Sequence, residues 1–182
     1  MTAEKQVADT LRRIAREAGQ VARIATRFVR PSSKKPGSAP GTLIPVGEQK
    51  VDKARITLID YDTGQLQERE VADIGEVLPM KDAPTVTWIN IDGLHDMDLI
   101  RQVGEIFGIH PLTLEDIVNT GHRPKMEEVE TYLLVVLKML YFNEEKNHIE
   151  TEQISLVLGE RFVISFHEHA GDVFVPVRDR LR

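Results

Sequence analysis

Cysteine is absent from the chain, which excludes disulfides, thiolate zinc sites and thiol catalysis and leaves oxygen and imidazole to hold any metal. Long apolar runs are absent as well. The longest, Tyr132 to Leu137, falls far short of the roughly 20 residues that a membrane-spanning helix needs. The first residues mix Glu4, Lys5 and Asp9 and lack the apolar segment of a secretory signal, so a cytoplasmic address is expected. There is no Gly-rich phosphate loop, His-Glu-x-x-His or nucleophile elbow. The serines lie in a linker or in strand-like segments, and an enzyme is not expected.

What is present is an acidic body with a basic leader. Residues 1–40 carry nine Lys/Arg against three Asp/Glu, and the remainder carries fourteen against twenty-six. Nucleic-acid affinity rests on Lys and Arg neutralising phosphates, so the body suits cations rather than nucleic acid. With 182 residues and 41% hydrophobic content, the chain has the material for one ordinary domain plus appendages.

Val7, Leu11, Ile14, Ala18, Val21, Ala25 and Phe28 recur at helical steps, predicting a basic amphipathic helix over residues 1–30 with its arginines off the apolar stripe. Pro31 to Pro40 reads as a flexible linker, and the folded body is expected over 41–182. Strands are expected at 42–46, 54–61, 65–71, 85–91, 132–142, 152–158 and 161–167, the last two joined by a type II' turn at Gly159-Glu160. A helical turn around Ile74 to Leu78 should end at Pro79. Asp96 caps a helix over 97–107 that stops at Gly108, and Pro111 starts another that stops near Gly121. The fold class is therefore α/β. A last helix is expected from Val173, and the sequence ends at Arg182 without Gly, Asn or Pro to stop it, the pattern of a helix that continues.

Three groups could hold a cation. Glu115 and Asp116 are adjacent carboxylates in a short helix; they point about 100° apart and so cannot pinch one ion between them, but each can offer oxygen at a surface where a partner completes the shell. Asp92, Asp96 and Asp98 lack the spacing of an EF-hand loop, and turn or cap duties explain them. His167 and His169 share one side of a strand end, without an evident third ligand.

From Gly41-Thr42-Leu43 through Thr87-Trp88-Ile89-Asn90-Ile91-Asp92-Gly93-Leu94-His95, then Phe107-Gly108-Ile109-His110-Pro111-Leu112-Thr113-Leu114-Glu115-Asp116-Ile117, His122-Arg123-Pro124-Lys125 and Gly171-Asp172-Val173-Phe174, the chain resembles the amino-terminal cytoplasmic domain of the CorA magnesium-transporter family. The resemblance runs nearly end to end over 41–182. It implies a mixed, roughly seven-stranded sheet between helical layers, followed by the start of a long stalk helix in a homopentamer, with the membrane helices beyond Arg182 and this domain on the cytoplasmic side of the inner membrane. It also implies that Asp116 binds a regulatory Mg2+ (or Co2+ or another divalent cation) at the subunit interface, with Glu115 near a second ion and further carboxylates coming from the stalk. A domain of a related zinc, cobalt or nickel transporter and a free-standing cation-binding interaction module are the alternatives. A further reading frame with apolar stretches of about 20 residues would separate the transporters from the module.

Overall fold

The computed structural model describes residues 39–44, 49, 51–144, 147–171 and 173–182. The helix expected over 1–30 and most of the expected linker lie outside them. Seven strands form one sheet: β1 (Arg55–Tyr61), β2 (Leu66–Val71), β3 (Val86–Asp92), β4 (Lys125–Val129), β5 (Tyr132–Asn143), β6 (His148–Leu158) and β7 (Phe162–His167). Their order is β2-β1-β3-β7-β6-β5-β4. Every pairing is antiparallel except β3 with β7, in the register Trp88 to Val163, Asn90 to Ser165 and Asp92 to His167. That one parallel junction requires a long crossover. The crossover holds helices α2 (Met97–Phe107) and α3 (Pro111–Val118) and the three strands β4 to β6; α1 (Leu78–Lys81) precedes β3 and α4 (Val175–Leu181) follows β7.

Strand alternation sorts side chains to two faces. On one face Ile56, Leu58, Ile89, Ile91, Ile164, Phe166, Leu134 and Val136 join Leu99, Ile100, Val103 and Phe107 of α2 and Leu114, Ile117 and Val118 of α3 in the hydrophobic core. The helices approach closely because Gly104 carries no side chain: a Cβ there would meet Leu114 Cδ1 at 2.4 Å. Asp96 caps α2 by accepting from Leu99 N, and Gly108 ends it with φ +66°, a left-handed conformation that glycine adopts without strain.

The sequence pattern misplaces four features. Residues 42–44 are irregular rather than a strand. The seventh strand is β4 instead, hidden in the sequence by Pro124 and by charges at Lys125, Glu127 and Glu128, the residue types that sheet edges use against further pairing. Pro79 does not end a helix: a 3-10 turn over Ile74–Val77 leads into α1, where the proline takes a first-turn position, which needs no N–H. The β6–β7 turn is not type II', since Gly159 is not among the positive-φ glycines. Its N–H donates to Phe162 O at 2.9 Å, and the Phe162 ring would lie 2.1 Å from a Cβ there, so space rather than torsion demands glycine.

Candidate functional site

Both carboxylates singled out in the sequence sit on α3, and the surroundings of that helix fix them. Pro111 starts it, and His110 Nδ1 accepts from Leu112 N at 3.2 Å. From β5, Tyr132 OH accepts from His110 N at 3.1 Å and pairs with Thr113 Oγ1 at 2.8 Å. At the other end, the fully buried Gln153 of β6 donates through Nε2 to Asp116 O (3.3 Å) and Ile117 O (3.2 Å), satisfying carbonyls that a helix terminus leaves open. Lys138 Nζ adds bonds to Thr120 O (2.6 Å) and Gln153 Oε1 (3.1 Å). The helix ends at Val118, earlier than the glycine at 121 would have it, because Asn119 closes the turn by accepting from Gly121 and His122.

The two acids then diverge, as their spacing requires. Glu115 is only 8% exposed, and its Oε2 accepts from Gly41 N at 2.7 Å. Gly41 has φ +81°, and a Cβ there would press on Pro111 Cβ at 3.0 Å. Only glycine fits both the torsion and the gap. Glu115 therefore pins the segment ahead of the sheet to α3.

Asp116 points the other way and keeps 21% of its side chain exposed. His122 Nε2 lies 2.9 Å from its Oδ1 and Lys125 Nζ 2.7 Å from its Oδ2. Lys125 also reaches Glu127 at 2.7 Å. Burial alone would lower the Lys125 pKa, but its hydrogen bonds to Asp116 and Glu127 outweigh that and hold the ammonium above its ordinary value. A cation of the chain itself thus occupies the carboxylate. No group of three or more His, Asp or Glu among the described residues converges to hold a metal. The donor chemistry fits a hard divalent ion in part: Mg2+ is usually held through one or two carboxylates and keeps several waters, and Asp116 supplies one such carboxylate at a surface.

The other candidates have structural work. Asp96 is the α2 cap. Asp92 is buried, taking Arg55 Nη2 (2.9 Å) on one oxygen and Asn90 Nδ2 (3.0 Å) on the other. His167 is the last residue of β7 and His169 lies beyond it, its N–H donating to Glu152 Oε1 at 3.0 Å. Sequence reasoning missed Lys125, His122, Gln153 and Tyr132. His122 and Lys125 stand in the quoted His-Arg-Pro-Lys segment, but no periodicity links them to Asp116 across a turn and a strand start.

Comparison with known proteins gives the chain a family. The family model described as CorA-like Mg2+ transporter protein matches residues 84–182, which include α2, α3, β3 to β7 and both carboxylates. The cobalt/magnesium transport protein CorA of Thermotoga maritima is 45% identical over 150 residues, covering 82% of this chain and 42% of that protein. The magnesium transporter ALR2 of Saccharomyces cerevisiae is 33% identical over 86 residues, 47% of this chain and 10% of its own length. The chain thus spans less than half the length of these relatives. Among solved structures, the full-length CmaX protein superposes with a TM-score of 0.54 at 15% identity, covering 74% of this chain and 41% of that one. The ZntB cytoplasmic domain from Vibrio parahaemolyticus gives 0.50 at 14%, covering 70% and 49%. These two show a shared fold. No helix among the described residues is long and apolar enough to cross a membrane. With the model match extending over more than half of its residues, the chain belongs to the CorA-like Mg2+ transporter family, whose members are transporters rather than enzymes.

Proposed function

We propose that this chain is the cytoplasmic, divalent-cation-sensing domain of a CorA-type magnesium transporter, in which Mg2+ bound between identical subunits favours the closed state. The observation that carries the reading is Asp116: a partly exposed carboxylate, rigidly placed by the Gln153 cap and paired with the chain's own Lys125 and His122. Such a group is one half of a cation site. Its remaining oxygens come from water and from carboxylates of the stalk helix, in the same or a neighbouring subunit, while Glu115, whose Oε2 accepts from Gly41 N, lies near a second ion. The transported ion is cargo, and its selection belongs to the membrane part.

The chemistry is a competition. Without Mg2+, Lys125 neutralises Asp116 locally; with Mg2+, the ion takes the carboxylate and draws a second acidic surface to it. A partly exposed ion pair is worth about 0–1 kcal/mol, so a divalent ion with two carboxylates to bridge can displace it. A tenfold preference for the closed state is about 1.4 kcal/mol per site. In a ring of five, that sums to roughly 7 kcal/mol, above the roughly 5.5 kcal/mol that swings a two-state equilibrium from 1:99 to 99:1. Five weak sites suffice.

The test is divalent-ion flux through the full-length protein in liposomes. Flux that falls as Mg2+ rises on the side bearing this domain supports the proposal; the absence of flux, or flux indifferent to Mg2+, overturns it.

A further inference from the structure

The face of the sheet opposite the hydrophobic core carries a chain of polar side chains. Trp88 Nε1 donates to Ser165 Oγ (2.9 Å), Ser165 Oγ to Asn90 Oδ1 (2.7 Å), Asn90 Nδ2 to Asp92 Oδ1 (3.0 Å), and Arg55 closes the series on Asp92 Oδ2. Next to it lies His167, 0% exposed, with neither ring nitrogen hydrogen-bonded to any described residue. Buried polar atoms are normally satisfied, and this ring is the conspicuous exception on the face.

What covers His167 is the root of α4. Phe174 stands edge-on to the His167 ring (5.4 Å between centroids) and to Trp88 (5.7 Å), and Arg178 lies 5.9 Å from the Trp88 centroid. This cover is a short helix at the surface. Helix α4 buries none of its residues and has no side-chain cap at Phe174; Arg178 and Arg182 reach Glu68 of β2, at 3.6 and 2.6 Å. The sheet beneath is rigid by comparison, since β7 is hydrogen-bonded on both sides.

We propose that protonation of His167 releases the Phe174–Arg178 segment from the sheet, making the root of α4 a proton-operated latch. An imidazolium has two N–H donors to satisfy and a charge to solvate, and no described residue accepts from either ring nitrogen. The described charged groups nearest it already have partners. From β3, Asp92 is already engaged by Arg55 and Asn90. On the same face of β6, Glu152 precedes by two residues the Ile154 that pairs with His167, and its Oε1 takes the His169 N–H. From α4, Arg178 adds a like charge, itself paired with Glu68. Opening this surface cover, which buries none of the α4 residues, admits water to the ring. Burial lowers the His167 pKa below the ordinary 6.5; Asp92 opposes that and Arg178 adds to it. The latch therefore stays shut above about pH 6.5 and opens as pH falls below it. The inference does not depend on the metal-sensing role of Asp116, which stands on the other face.

Trp88 is the single tryptophan of the chain and touches both Phe174 and Arg178, so its emission reports the latch. Between pH 7.5 and 5, the native chain should show a red shift centred below pH 6.5 with unchanged far-UV circular dichroism. His167→Gln should abolish the shift, and Phe174→Ala should give the acid-side spectrum already at pH 7.5. The imidazole resonance of His167, followed by NMR in the native chain, should titrate with the same midpoint, which keeps the test valid if a variant folds poorly. A shift that persists in His167→Gln, that is absent, or that coincides with loss of the dichroism overturns the proposal.

Discussion

On one face of the sheet, Leu58, Ile89, Ile164 and Phe166 meet the apolar sides of α2 and α3 in a continuous core. On the other, the same strands present Arg55, Asn90, Asp92, Ser165 and His167 to the short helix α4. The contrast separates rigidity from responsiveness. The apolar face holds α3, and with it Asp116, at a fixed place; the polar face meets α4 through ring contacts and ion pairs.

Substitutions that break this contrast rank by size. Phe166→Ala, at a fully buried core position, is expected to cost about 3–5 kcal/mol in chemical denaturation, a large share of a stability that is typically about 5–15 kcal/mol. If the two faces mattered equally, Ser165→Ala would cost as much. It should instead cost about 1–3 kcal/mol, the loss of one acceptor for Trp88 Nε1 and one donor to Asn90 Oδ1.

Acid sharpens the comparison further. The neutral, buried His167 favours the folded state fully above its unfolded value of about 6.5, and that contribution is lost as pH falls from there through the depressed folded value. Denaturation at pH 7.5 and 5.5 should therefore show a pH-dependent component that His167→Gln removes. Smallest is Asp116→Asn, expected to change the stability of the chain by less than about 1 kcal/mol, because it removes only partly exposed ion pairs with Lys125 and His122. A larger loss in the same denaturation would make Asp116 a structural residue first.

Much of this was legible in the sequence. Asp96, Gly108 and Pro111 carry local signals that bracket α2 and α3, and apolar segments between turn signals mark β1, β3 and β5. The edge strand β4 was not legible, because a charged edge lacks the apolar alternation that identifies buried strands. Nor were the partners of Asp116, since the proximity of Lys125 depends on how β4 lies beside β5. The diverging directions of Glu115 and Asp116 followed from helix geometry alone, but their different partners, a backbone N–H and an ammonium, required the fold.

In the proposed mechanism Asp116 is a cation ligand for which Lys125 competes. Its most direct test is Mg2+ inhibition of flux through the full-length protein in liposomes, compared among the native protein, Asp116→Ala and Lys125→Met. Asp116→Ala should need more Mg2+ to shut the pathway, and Lys125→Met should need less, by up to about fivefold for a pair worth about 1 kcal/mol. Coincident curves for the native protein and Asp116→Ala would contradict the sensing role.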